Sequence, residues 1–224
     1  VTTVAVIQPY FVPYAGYFRL FAAADLVVMF DCVQFPRRGW VHRNRFALAS
    51  GEQDWLTLPI AKCDRDTRIC DLEFAPGAGE RIARAMHRFP LLERALRASN
   101  PLLERTLHVG DADFTNYLCD LVSETALALS MLRPMIRSST LPIDPSLRAQ
   151  DRVIAIVKAV GGTHYVNPSG GRELYDHDSF ANAGLELRFL TPYGGSYDSI
   201  LARRLSEPAD AIAAEIARES VLLA

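Results

Sequence analysis

The sequence predicts an α/β protein: a central, partly parallel sheet flanked by helices, with an antiparallel hairpin inserted near residues 40–60. Three observations carry that prediction. The first about 30 residues read as strand, helix and strand, the pattern of a parallel βαβ unit. Strands and helices then alternate over much of the remaining chain. Between them, "WVHRNRFAL" and "DWLTLPI" flank "ASGEQ", two β-rich runs around a glycine-containing turn. No internal repeat, low-complexity tract or linker interrupts the 224 residues, so one domain spanning 1–224 is the simplest organisation.

The elements follow in order. "TTVAVIQ" is β-branched and apolar and is stopped by Pro9, which marks a buried strand. In "PYAGYFRLFAAAD", Pro13 suits a first helical turn, and Phe18, Leu20, Phe21 and Ala24 supply an apolar face. "LVVMFD" is a second strand, expected beside the first and parallel to it because the connection is short and helical. "RICDLEF" has the composition of a further strand. Residues 78–98 and 113–131 carry helical periodicity, with Asp111 or Asp113 available as an N-cap. "RPMIRSS" reads as a strand, "DRVIAIVKAVGG" as a helix closed by glycine, and "THYVNPSGG" as a strand entering a turn. "DHDSFANAG" is a short helix, "LELRFL" a strand, and 207–220 a final helix.

Composition narrows the function classes. Half the chain is hydrophobic, its net charge is −2, and acids and bases are interspersed. That balance argues against a nucleic-acid partner. Apolar runs such as "ALALSML" fall far short of a membrane span. The start "VTTVAVIQPY" lacks the basic region and cleavage pattern of a signal peptide, which points to a cytoplasmic protein. Cys32, Cys63, Cys70 and Cys119 are too scattered for a disulfide framework, and no C-x-x-C pair suggests a metal site. Each, taken alone, reads as a small buried hydrophobe.

Three stretches hold most of the unusual residues. "IQPYFVPYAGYF" surrounds Gln8 with prolines, glycine and aromatics at the end of the first strand, either as a rigid packing turn or as a site loop. "DCVQFPRRGWVHRNR" puts Asp31, Cys32 and Gln34 at the end of the second strand. It continues with Arg37, Arg38, Arg43 and Arg45. Alternation places His42, Asn44 and Phe46 on one strand face and Arg43 and Arg45 on the other. The arginines are expected either to protect a hairpin edge or to hold an anionic group in their forked guanidinium geometry. In "THYVNPSGGRELY", Asn167, Pro168, Gly170 and Gly171 form a turn whose glycines permit close backbone approach. "PSGG" lacks the spacing of a P-loop or dinucleotide fingerprint.

Together these stretches resemble the WbqC-like proteins. The resemblance runs through Gln8, Pro9, Tyr10, Pro13, Gly16, Tyr17, Asp31, Gln34, Phe35, Trp40, Arg43, Asn44 and Arg45. It resumes at Asn167, Pro168, Gly170, Gly171, Leu174 and Tyr175, covering the N-terminal third and much of 150–192. It implies a role in O-antigen or other small-molecule biosynthesis, with transfer of an amino acid to an amino sugar. Two departures, Cys32 where relatives carry a polar residue and the ending "GGSYDSILARRLSEPAD", suggest a specialised member. That member is similar to the condensation enzymes of lincosamide-type antibiotic pathways. They join a carrier-bound amino acid to an amino sugar.

On that resemblance, an acyl intermediate requires a nucleophile, and Cys32 alone among the four thiols ends a strand beside polar groups. His164 is then the first choice of base and His42 the second, with Asn167 or Asp31 orienting the imidazole. Gln8 or Gln34 would donate to the oxyanion. Tyr10, Tyr17, Gln34, Trp40, Arg43, Asn44, Arg45, Gly170 and Gly171 join Gln8 as substrate-binding candidates. The expected partners are a carrier protein, whose phosphopantetheine arm is the donor, and an amino-sugar acceptor; no other cofactor or metal is implied. The alternative is a sugar-nucleotide binder or nucleotidyltransferase-like protein. Against catalysis of that kind, Tyr14, Ala15, Gly16 and Tyr17 occupy the window where nucleotidylyltransferases carry H-x-G-H.

Overall fold

The computed structural model describes residues 1–109 and 113–223. In chain order the strands and helices are β1 (Thr3–Ile7), α1 (Arg19–Ala23), β2 (Leu26–Met29), β3 (Arg43–Ala47), β4 (Gln53–Thr57), α2 (Ala78–Met86), α3 (Pro90–Arg97) and α4 (Pro101–Leu107). They continue as α5 (Phe114–Ala128), β5 (Met135–Arg137), α6 (Ala149–Ala159), β6 (His164–Asn167), α7 (His177–Asn182), β7 (Glu186–Phe189), α8 (Ile200–Arg204) and α9 (Ala209–Glu219).

Among the described residues, five strands form one parallel sheet in the order β5-β2-β1-β6-β7, and β3 and β4 pair antiparallel in a separate hairpin. Strand β1 lies centrally, its two edges paired with β2 and β6, and helices cover both of its faces. Its side chains alternate accordingly. Val4 and Val6 pack with Val153, Ile156 and Val157 of α6 and Phe180 of α7. Ala5 packs on the other side with Leu20 and Phe21 of α1 and Ile212 and Ile216 of α9. Helices α2 to α5 extend that second core over the hairpin. The predicted α/β class, the β1–α1–β2 unit and the hairpin are all present.

Several segments differ from the sequence reading for local reasons. "RICDLEF" forms a 3-10 turn at Ile69–Asp71 with single bridges on either side, not a strand. Its amides are claimed by loops: Ile69 N donates to Val33 O and Cys70 N to Asp31 O, both at 2.9 Å. The periodicity over 78–98 is divided between α2 and α3. Phe89 has φ −110° and ψ 110°, the extended conformation that the ring of Pro90 imposes on its predecessor. Asp113 caps α5 by accepting from Asn116 N at 2.8 Å; Asp111 lies outside the described residues. The aromatic stretch after β1 begins as a 3-10 turn, Ala15–Phe18, before α1.

The last segment holds a helix the sequence did not announce, α8. Ser199 caps it, accepting from Leu201 N at 3.3 Å, and donates its own hydroxyl to Val12 O at 2.9 Å. Ile200 N donates to Pro13 O at 2.7 Å. The loop after β1 is thus tied to the chain beyond β7, and the two meet at the carboxyl edge of the sheet.

Candidate functional site

Loops at the carboxyl ends of parallel strands are where α/β sheets gather binding groups. In this protein the loops after β1, β2, β5, β6 and β7 reach that edge. They divide into two clefts on opposite faces of the sheet.

The first cleft, about 550 Å³, lies beyond β2 and β5 against the start of α6. Cys32 and Gln34 reach it from the β2 loop, and Ser138 and Ser139 from the end of β5. Arg148 and Arg152 come from α6. Beneath it sits Asp31, fully buried and fully engaged. Its Oδ1 accepts from Ser138 Oγ at 2.9 Å and Ser139 N at 2.8 Å. Its Oδ2 accepts from Ser139 Oγ and Arg137 Nε, both at 2.7 Å. Ser138 Oγ in turn accepts from the Asp31 and Cys32 amides at 3.0 and 3.1 Å. This lattice fixes the backbone on which Cys32 is presented. Arg152 completes the surround, donating from Nη1 to Cys32 O at 3.2 Å, with Sγ at 4.0 Å.

The second cleft, about 380 Å³, lies on the other face and has aromatic walls. Tyr10 and Tyr14 come from the β1 loop, Trp40 from the β2–β3 loop, and Tyr197 from the chain after β7. Asn44 forms its floor and is spent on structure. Its Nδ2 donates to Phe11 O and Val12 O at 3.2 and 2.7 Å, and its Oδ1 accepts from Arg45 N. Burial raises the pKa of the Tyr10 and Tyr14 phenols, so both present hydroxyl donors at neutral pH. Gly16 lies below: a Cβ there would come within 2.3 Å of Tyr14 Cε2 and 2.7 Å of Tyr193 Cδ1.

The sequence-predicted residues separate accordingly. Cys32 and Gln34 share the first cleft. Tyr10, Trp40 and Asn44 share the second. Arg43 and Arg45 are stacked on indoles, with Arg43 Cζ 4.0 Å from the Trp55 ring centroid and Arg45 Cζ 4.8 Å from the same ring. Arg43 also donates to Arg38 O and Gly39 O. Tyr17, 2% exposed, bonds Gln8 O at 3.0 Å and belongs to the core, so it cannot meet a substrate. Gln8 ends β1. Asn167 ends β6 against Gly171, where a Cβ would be 2.0 Å from Asn167 Nδ2; Gly170 beside it faces open space.

The proposed Cys32–His164 pair does not form. His164 opens β6, level with Thr3, whereas Cys32 follows the Ile7–Met29 pair at the other edge of the sheet. At about 3.3 Å per residue, the strand length alone separates them by roughly 13 Å along the sheet, and one strand lies between. His164 instead bonds Glu186 through Nε2 at 2.8 Å and Thr163 Oγ1 through Nδ1 at 2.8 Å. Asp31, with its oxygens occupied, cannot orient an imidazole either. The second histidine, His42, is buried, with Nδ1 unpartnered and its ring edge-on to Phe35 at 4.9 Å. Burial, reinforced by Arg43, pushes its pKa down to about 4, so it is neutral at pH 7.

That depression gives a testable sign. Between the unfolded value near 6.5 and about 4, the unfolded chain binds a proton at His42 that the folded chain refuses. Stability from this group is therefore complete above about pH 6.5 and falls as pH is lowered towards 4. NMR titration of the His42 ring should show no protonation above pH 5, and His42→Phe should flatten the acid side of the stability profile.

Two of the other thiols, Cys70 and Cys119, are poor nucleophiles. Burial pushes Cys70 up to about 11 and Cys119 up to about 12, so both stay protonated near neutrality. Among the described residues, no group of three or more His, Cys, Asp or Glu side chains is placed to hold a metal, and no helix is long and apolar enough to cross a membrane. Sequence reasoning missed Ser138, Ser139, Arg148 and Arg152. The two arginines did leave a signal: they stand four apart at the start of a helix, where positive charge is unfavourable.

Both clefts lie within one family match. The profile of the WbqC-like protein family matches residues 8–202, most of the chain. The chain belongs to the WbqC-like family. A relative of this WbqC-like chain is the uncharacterized protein Rv1507c of Mycobacterium tuberculosis, 39% identical over 57 residues. That alignment covers 25% of this chain and 24% of the relative, so the chain spans about a quarter of the length of that curated protein. No solved structure matches this WbqC-like chain.

Proposed function

We propose that the protein is an amide-forming acyltransferase of small-molecule biosynthesis. It would move an amino acid from a thioester on a carrier protein's phosphopantetheine arm to the amine of an amino sugar. The observation that carries this reading is Cys32 itself: a partly exposed thiol at the carboxyl edge of the sheet, opening on a substrate-sized cleft beside the Arg152 guanidinium.

The Cys32 thiolate attacks the thioester carbonyl, the new C–S bond forms, and the carrier thiolate leaves. The acceptor amine then attacks the acyl-Cys32 carbonyl, forming the C–N bond and expelling the Cys32 thiolate. The proton lost by the amine ends on the carrier thiol, so thioester and amine give amide and thiol with no ATP. No imidazole lines the cleft among the described residues. The acceptor amine, entering unprotonated, and the departing thiolate supply the base chemistry in place of a Cys–His pair. The test is intact-protein mass spectrometry with a glycyl thioester donor. The expected result is an acyl adduct on Cys32 that disappears when amine is added. Absence of both adduct and amide overturns the reading.

The aromatic cleft favours a second reading, a saccharide-binding protein of polysaccharide assembly. Tyr and Trp faces stack on sugar C–H surfaces, and the phenols bond hydroxyls. Under it, free sugars or sugar nucleotides should quench Trp40 fluorescence, and Trp40→Ala should weaken binding about tenfold or more. No quenching by any of them discards it.

A further inference from the structure

Resting on the acyltransferase reading, we infer that Arg152 is a catalytic residue: its guanidinium is the donor that receives the oxyanion formed when Cys32 attacks the thioester.

The chemistry places its demand beside the sulfur. As the bond from Cys32 Sγ to the carbonyl carbon forms, the carbonyl π pair moves onto oxygen. The negative oxygen stays on that carbon until the carbonyl re-forms and the carrier thiolate leaves. It returns when the amine adds to acyl-Cys32, and is discharged when the Cys32 thiolate departs. A stabilising donor must stand within about 3 Å of this oxygen. The oxygen is two bonds from Sγ, so the donor must lie next to the thiol. Arg152 Nη1 does, at 4.0 Å from Sγ.

The neutral donors nearby are already engaged. The Cys32 amide, which a nucleophile ordinarily lends to its own oxyanion, donates to Ser138 Oγ at 3.1 Å. Ser138 Oγ, Ser139 N and Ser139 Oγ all donate to Asp31. Gln34 Nε2 donates to Arg65 O at 2.7 Å, and Gln8 is not among the residues that line the cleft. Arg68 lines it, but Asp71 takes its Nε and Nη2 at 2.6 and 2.8 Å.

Arg152 differs in having no counter-charge. Its bonds go to carbonyls, Cys32 O at 3.2 Å and Pro145 O at 3.0 Å, and among the described residues no carboxylate pairs with it. Its Nε is buried without a partner. Arg148 shares Pro145 O and sets a second positive charge beside it. Both stand at the opening of α6, where the helix dipole and their four-residue spacing make positive charge unfavourable, so the pair does not serve the helix. Carbonyl anchors hold a guanidinium in place without neutralising it. That is the condition for oxyanion stabilisation, a donor oriented before the charge appears. The bond to Cys32 O also ties this donor to the residue that carries the nucleophile.

The test compares two reactions of Cys32. Acylation by a glycyl thioester builds an oxyanion, and alkylation by iodoacetamide does not. Both rates are read by intact-protein mass spectrometry over a range of pH, so that any change in thiolate fraction cancels in their ratio. In Arg152→Gln, checked for a native circular dichroism spectrum, the ratio of acylation to alkylation should fall about a hundredfold. Arg152→Lys keeps the charge but not the anchored fork, and its ratio should fall less. It decides the matter if Arg152→Gln does not fold. A ratio equal to that of wild type, whether both rates hold or both drop together, overturns the oxyanion role and leaves acyl transfer standing. If wild-type protein gives no acyl adduct while iodoacetamide still labels Cys32, acyl transfer fails and the role of Arg152 fails with it.

Discussion

Cys32→Ala should abolish the acyl adduct and reduce amide formation by a thousandfold or more, the scale on which loss of a covalent nucleophile is felt. The effect should fall on kcat, because the cleft that binds the donor is built mostly by other residues. Cys32→Ser should fail nearly as badly, since a serine hydroxyl is scarcely ionised at neutral pH. The informative contrast is His164→Ala. With its ring bonded to Glu186 at the amino edge of the sheet, it should turn over within a factor of a few of wild type. A Cys–His mechanism would instead make the two variants equally inactive. Wild-type turnover in Cys32→Ala would leave only direct attack of the amine on a positioned thioester.

The largest structural effect is expected at Asp31. Its carboxylate takes up four donors from β5 and the turn that follows, and its removal would leave Arg137 Nε, the Ser139 amide and the hydroxyls of Ser138 and Ser139 without their acceptor around a buried void. Breaking a buried, hydrogen-bonded charge pair costs about 3 kcal/mol or more. For a chain of this length that corresponds to a fall in Tm of roughly 6–12 °C. Asp31→Asn keeps the shape and should lose less. Calorimetry on the two variants checks the order. Asp31→Ala melting like wild type would mean that the lattice under Cys32 is not what holds the β2 and β5 loops.

The fold was largely legible because its signals are local. Apolar, β-branched runs located β1, β2 and β6, the first and last of them punctuated by proline, and a glycine turn between two β-rich runs located the hairpin. Where a long-range partner decides, the reading slipped. "RICDLEF" has strand composition, but its amides found the loops of residues 31 and 33. Of the site, Cys32 was legible as a thiol following a strand. Its supposed base was misplaced for a simple reason: in a parallel sheet the two ends of a strand belong to different surfaces, and His164 opens its strand where Cys32 follows its own. Ser138 and Ser139 left no signal at all. Their role exists only because β5 lies beside β2 and brings them, 107 and 108 residues on, to Asp31.

The central position of β1 bears on how the protein is made. On leaving the ribosome, β1 obtains one neighbour, β2, almost at once. Its other edge stays unpaired until β6 emerges; Thr2 and Thr163, which bond across that seam, are 161 residues apart. At about 5–20 residues per second, the wait is on the order of ten to thirty seconds. During that time an apolar strand edge is open to foreign β-strands, and the wall of the aromatic cleft, tied through Ser199 to Val12, is absent for longer still. Nascent chains stalled before residue 164 should therefore bind chaperones, and those stalled well beyond residue 200 should not.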